Sequence, residues 1–279
     1  ATDYRMLSHN VIARQKVLYH GHAVAAVAAT TPAIAERALG LIDVDYEPLP
    51  LVLDLDAALA PAAPLLHEDL RDGRGNLRGS NVASEIELGH GDPAAGFERA
   101  DVVVEREYTT QPVHQGYIEP HACLAHAGAD GRVTVWCSSQ GQFMVRAYTA
   151  KLLGLELSQV RVVPAEIGGG FGGKTTVYLE PLAVALSLRA GRPVKMVMTR
   201  EEVFRATGPA SATRIRVKIG ATRDGLLTAA EADLLYEAGA FPGSPVGAAA
   251  MTAFGPYALE HVRTRGQDVL VNKPKVAAY

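Results

Sequence analysis

The stretch Gly168-Gly169-Gly170-Phe171-Gly172-Gly173-Lys174-Thr175 holds five glycines in six consecutive residues. Glycine reaches backbone conformations closed to other residues. A run without side chains also leaves backbone N–H groups that a phosphate or an oxo group can approach closely. Upstream, Val160 to Ile167 is apolar with interspersed polar residues and reads as a strand. Downstream, Pro181 to Ala190 is an apolar helical pattern closed by Gly191.

Two simpler readings of this loop compete. Gly168, Gly173, Lys174 and Thr175 satisfy the G-x-x-x-x-G-K-[ST] pattern of nucleotide-phosphate loops. That pattern needs the Lys and Thr in the first turn of a helix. Pro181 would then lie in the helix interior, at a cost of about 3 kcal/mol. The later strand Val194 to Met198 also ends in Thr199-Arg200 rather than in an Asp that could hold magnesium. A ligand-free turn is the other alternative, but five glycines cost backbone entropy of about 1 kcal/mol each.

The 279 residues allow one large domain or two ordinary ones. The charge is nearly balanced, 27 basic against 30 acidic residues, which gives no electrostatic reason to expect nucleic acid. No apolar stretch is long enough for a membrane span. Cys123 and Cys137 are the only cysteines, too few for an iron–sulfur cluster or a four-cysteine zinc site, and such sparse use points to a reducing, cytoplasmic setting. Val17 to Thr30 and Leu41 to Tyr46 read as strands around a helix at 32–40. Residues 70–80 are polar with three glycines and read as a linker. Strands are expected at 85–88, 102–108, 132–137, 193–198, 214–219 and 226–236, and a helix at 142–153 closed by Gly154. His114, Glu119 and His121 cluster in sequence, but Pro120 prevents a helical metal-binding pair, so structural hydrogen bonding is expected there.

A wider set of motifs occurs in order along the chain. His114-Gln115-Gly116-Tyr117-Ile118-Glu119-Pro120, Trp136-Cys137-Ser138-Ser139-Gln140, Lys151-Leu152-Leu153-Gly154, the glycine loop, Gly191-Arg192-Pro193, Thr199-Arg200-Glu201-Glu202 and Asn272-Lys273 together resemble the molybdopterin-binding large subunit of the xanthine dehydrogenase/aldehyde oxidase family. The resemblance implies an α+β fold with mixed sheets and helices. It assigns 1–70 to a partial α/β hammerhead domain, 71–80 to a linker and 81–279 to the first part of a molybdopterin-binding domain. It also implies that Gly169, Gly170, Phe171, Gly172 and Gly173 bind the cofactor. Gln140 would lie beside the metal's apical oxo ligand in a catalytic role, with no residue of this chain ligating the metal directly.

The implied cofactor is molybdopterin carrying molybdenum, its cytosine dinucleotide form being one alternative. FAD and iron–sulfur clusters would sit on partner subunits of a heteromeric enzyme that takes its oxygen from water. Thr175 stands where purine-oxidising members carry a Glu, and Pro245 to Met251 is uncharged, so an aldehyde or N-heterocycle is the expected substrate class. In the family the general-base Glu comes later than any residue here, so this chain alone is expected to be inactive without the remaining C-terminal part of the domain. A nucleotide-binding NTPase and a non-catalytic assembly fragment are the alternatives.

Overall fold

Side-chain oxygens of Asp3, Thr31, Asp54, Asp92 and Thr199 each accept from the free N–H groups at the start of a helix. The computed structural model describes residues 3–278. In chain order its elements are α1 (Tyr4–Val11), α2 (Pro32–Leu39), α3 (Leu55–Leu59), β1 (Val82–His90), α4 (Pro93–Glu98), β2 (Val102–Thr110), β3 (Ala122–Ala127), β4 (Val133–Cys137), α5 (Gln142–Leu153) and β5 (Val160–Pro164). There follow α6 (Glu180–Ala190), β6 (Val194–Val197), α7 (Arg200–Ala206), β7 (Thr213–Ala221), β8 (Leu227–Gly239), α8 (Val246–Thr252) and β9 (Val262–Leu270). Gly154 and Gly191 end α5 and α6 in the left-handed region, at φ 68° and 62°, as their positions in the sequence lead one to expect.

The chain divides into two compact units, each built from separated stretches. One comprises the chain up to Pro50, His114–Pro209 and the residues from Ala277. Its sheet has the order β5-β4-β3-β6, with β4 and β5 parallel and the other pairs antiparallel. The parallel pair needs a crossover, which α5 supplies. Alternate residues of β3 and β4 (Cys123, Ala125, Val133, Val135, Cys137) pack against Val145 of α5 and Ala183 and Val184 of α6. Both thiols are free and buried in this core, and burial pushes the Cys137 thiol up to about 12.

The other unit comprises Leu51–Val113 and Ala210–Val276. Its sheet has the order β1-β9-β8-β7-β2, again with one parallel pair, β8 and β9, joined through α8. Val246 and Ala250 of α8 pack on Ala232 and Leu234 of β8. The stretch 70–80 lies inside this unit. It folds into a tight turn in which Arg71 bridges Leu77 and the Asp72 carboxylate accepts from the N–H groups of Arg74 and Asn76.

The strands expected at 17–30 and 41–46 are not formed among the described residues; only the helix between them, α2, is. Alternating apolar residues favour a strand only where a sheet covers one face. Here no strand pairs with either segment, and Leu41 and Tyr46 are exposed at 86% and 57%.

Candidate active site

The register of the first unit's sheet gathers four of the motifs, those at 114–120, 136–140, 168–175 and 199–202, at one end. Because β4 and β5 are parallel, with Val133 opposite Val160 and Cys137 opposite Pro164, their carboxyl ends lie side by side. Ser138-Ser139-Gln140 leaves one and the glycine loop leaves the other. Since β3 runs antiparallel to β4, segment 114–121 arrives at the same end, where Met198 N donates to His121 O. Carboxyl ends of parallel strands are where open sheets containing them form ligand crevices.

Gln140 reaches across this end. Its Oε1 accepts from Gly172 N at 3.0 Å and from Lys174 N at 3.1 Å, and its own backbone N–H donates to Lys174 O at 2.9 Å. Two N–H donors on one atom identify that atom as the carbonyl oxygen. The Gln140 Nε2 hydrogens therefore remain uncommitted among the described residues. Gly173 N donates to Gly170 O at 2.6 Å, and Gly168 N to Glu119 Oε2 at 2.9 Å. The loop is thus not an unbroken row of bare amides. Of the five loop residues expected to bind a cofactor, Gly172 and Gly173 use their N–H groups internally. Those of Gly169, Gly170 and Phe171 find no acceptor among the described residues.

The glycines answer to packing as much as to access. A Cβ on Gly170 would lie 2.6 Å from Gln140 Oε1, one on Gly172 2.2 Å from Ala278 O, and one on Gly173 2.7 Å from the Tyr117 ring. Between them, Phe171 is the single described non-glycine residue at positive φ, 45°, and it is 62% exposed. A left-handed aromatic residue costs about 1–2 kcal/mol, and such strain clusters where it serves a function.

Lys174 neither reaches solvent nor stands open to a phosphate. It is buried at 1%, its Nζ donates to Glu119 Oε2 at 2.6 Å, and it lies 5.0 Å from the centre of the Tyr117 ring. It also precedes α6 by several residues, as Pro181 implies. Burial raises the Glu119 carboxyl, but the hydrogen bonds from Lys174 and Gly168 outweigh it and hold the group below the usual carboxylate range.

The three-residue cluster His114, Glu119 and His121 is split between this ion pair and a buried hydroxyl chain. Thr207 Oγ1 donates to Val203 O, so it can only accept from Tyr117 Oη at 3.1 Å and from His114 Nε2 at 2.9 Å. His114 Nδ1 accepts from Gly116 N, which fixes its proton on Nε2. Tyr117 then spends its hydrogen on Thr207, and His121 Nε2 must be the donor in the 2.7 Å contact with Tyr117 Oη.

Burial, with Lys174 and His114 nearby, pushes His121 down to about 3. Its unfolded-state value is near 6.5, so between pH 6.5 and 3 the unfolded chain binds the extra proton and stability falls as pH falls. Replacing His121 by Gln, which keeps a donor toward Tyr117, should flatten urea-unfolding stability over roughly pH 6 to 4 by up to about 1.4 kcal/mol per unit.

Comparison with known proteins gives the family. The molybdopterin cofactor-binding domain family matches residues 76–279, and the aldehyde oxidase and xanthine dehydrogenase a/b hammerhead domain matches residues 2–50. The chain belongs to this molybdopterin cofactor-binding family, of the aldehyde oxidase and xanthine dehydrogenase type. It is 32% identical over 267 residues to the nicotinate dehydrogenase large molybdopterin subunit of Eubacterium barkeri, covering 95% of this chain and 60% of that one. The solved aldehyde oxidoreductase of Desulfovibrio desulfuricans superposes with a TM-score of 0.83 at 26% identity, over 94% of this chain and 29% of that one. CO dehydrogenase from Oligotropha carboxidovorans gives 0.79 at 30% identity, over 88% and 32%. The chain therefore spans 60% of the first relative's length and about a third of the solved chains. The α+β expectation holds, and the nucleotide-binding alternative is set aside.

Proposed function

We propose that this chain supplies the pterin-facing cradle of a molybdenum-dependent hydroxylase. The observation that carries the reading is Phe171, strained and exposed, flanked by the uncommitted amides of Gly169 and Gly170. A pyranopterin and its phosphate are rich in acceptors, so the donors present fit the group. Gly169, Gly170 and Phe171 would donate to it, Gly172 and Gly173 would shape the cradle, and the Gln140 amide would donate without adding charge. The bound cofactor supplies the redox chemistry of substrate oxidation, with water as oxygen source. The protein's part is to bind and orient it.

The same reading places the catalytic carboxylate on the remaining C-terminal part of the domain. Iron–sulfur and FAD centres belong on partner subunits, with the assembly cytoplasmic. It also divides the chain into a hammerhead portion over 1–70 and a cofactor-binding portion from 81. The uncharged segment containing α8 and the presence of Thr175 favour an aldehyde or N-heterocycle as substrate; the cofactor is molybdopterin, its cytosine dinucleotide form being one alternative. Purified with its partners, the enzyme should contain molybdenum and a fluorescent oxidised pterin at near one per cradle, and it should oxidise aromatic aldehydes or N-heterocycles faster than xanthine. Absence of both metal and pterin would refute the cradle; preference for xanthine would refute only the substrate class.

A further inference from the structure

The strongest unexplained feature is that one carboxylate oxygen holds both ends of the glycine loop. Glu119 Oε2 accepts from Gly168 N at the loop's entry, 2.9 Å, and from Lys174 Nζ at its exit, 2.6 Å. The lysine is fully buried, so its charge has no water to fall back on, whereas the Glu119 side chain is 33% exposed. Lys174 Nζ also donates to Pro120 O at 3.4 Å. Glu119 is in turn placed by Arg200, whose guanidinium donates to Tyr117 O and Ile118 O just before it. The loop entry and Glu119 are closely apposed, because a Cβ on Gly168 would come within 2.7 Å of Glu119 Cβ.

We infer that Glu119 and Lys174 are a positioning pair: the bridge between entry and exit bends the loop so that Gly169, Gly170 and Phe171 present their amides outward. Neither residue need touch the cofactor. The inference rests on the cradle reading above and adds to it what holds the cradle in shape. Gln140 secures the second half of the loop through Gly172 and Lys174, but it makes no hydrogen bond to the entry at Gly168. Without the Glu119 bridge, the Gly168 end is held by none of the described hydrogen bonds.

The test compares Glu119→Gln, Lys174→Met and the double variant E119Q/K174M in the assembled, cofactor-loaded enzyme. Two readouts are taken per folded molecule: molybdenum content, and the exchange rates of individual loop amides after the cofactor has been removed. In E119Q the new amide oxygen would still accept from Gly168 N, but the variant would strand a buried ammonium. The hydrogen-bonded loop amides, those of Gly168, Gly172, Gly173 and Lys174, should then exchange roughly tenfold faster or more, and metal content should fall in step. Lys174→Met leaves Glu119 holding the entry alone, so exchange should rise at the exit end only. The double variant removes the stranded charge. It should regain slow exchange at Gly168 while the exit end, now without its anchor, stays fast, and metal content should recover in part.

A pair that merely stabilises the fold predicts otherwise: a lower melting temperature, but wild-type loop exchange and wild-type metal content in every variant that folds. That result would overturn the inference. If E119Q does not fold, the double variant decides alone, since wild-type exchange at both ends in it would equally refute the bridge. A wild-type enzyme lacking molybdenum would instead refute the cradle reading, so the two failures are distinguishable.

Discussion

Gly172→Ala is expected to be among the most damaging single-methyl changes in the first unit. Gly172 sits at φ 87°, where an alanine costs about 1–2 kcal/mol in backbone strain alone. The added Cβ would also lie 2.2 Å from Ala278 O and 2.4 Å from its carbonyl carbon, backbone atoms that cannot rotate away. Overpacking of this kind costs about 1–3 kcal/mol more, so a total of about 2–5 kcal/mol is expected. The damage should be local in origin, because Gly172 N and O are both committed within the site, to Gln140 Oε1 and Thr175 Oγ1. Urea unfolding of the variant should show this loss, and the folded fraction should carry less than about a tenth of the wild-type molybdenum, since each 1.4 kcal/mol lost at the cradle is about tenfold in binding. Gly154→Ala is the fitting control. It is also left-handed, at φ 68°, but has open space around its Cβ, so it should cost only the strain of about 1–2 kcal/mol and leave metal content unchanged.

The second large effect is expected at Gln140, where two substitutions separate shape from chemistry. Gln140→Leu strips the acceptor from Gly172 N and Lys174 N together. An unsatisfied donor costs about 1–3 kcal/mol, and Lys174 is buried, so the loop should loosen and the cofactor should be lost. Gln140→Glu keeps an oxygen for both amides, so loop exchange should remain near wild type. It replaces the uncommitted NH2 donor with a second acceptor and a negative charge. Metal content and activity should therefore fall although the loop is intact. If the Q140E variant behaved like the wild type in all three measurements, Gln140 would be a loop clasp only, with no role toward the cofactor.

How much of this is legible in the sequence differs from element to element. The left-handed glycines that close α5 and α6, the Pro181 argument that keeps Lys174 out of a helix, and the strand before the loop all depend on neighbours a few residues apart, and they hold in the structure. What cannot be read depends on register. The parallel pairing of β4 with β5 brings Gln140 to the loop, and a residue 55 positions away pairs with Lys174. No local pattern encodes either. One signal points toward Glu119: a lysine inside an apolar-flanked glycine loop has no water once the loop folds, so a carboxylate must be found for it. Taken alone, the glycines look like a bare surface for a ligand, whereas four of them are required by close approach to Glu119, Gln140, Ala278 and Tyr117. The strands expected near the start of the chain show the opposite limit, since neither the apolar run at 17–30 nor the alternation at 41–46 names the sheet that would cover it.

The division into units is equally hidden. Each unit is assembled from stretches far apart in sequence, and the polar stretch at 70–80 folds into a turn in which Arg71 and Leu77 pair.

The most direct measurement is residue-resolved hydrogen exchange of the Gly169, Gly170 and Phe171 amides in the assembled enzyme, with and without its cofactor. Fast exchange is expected at all three positions when the cofactor is removed and strong protection when it is present, while Gly172 and Gly173 change little. Equal protection of these three amides in both states would rule out the cradle.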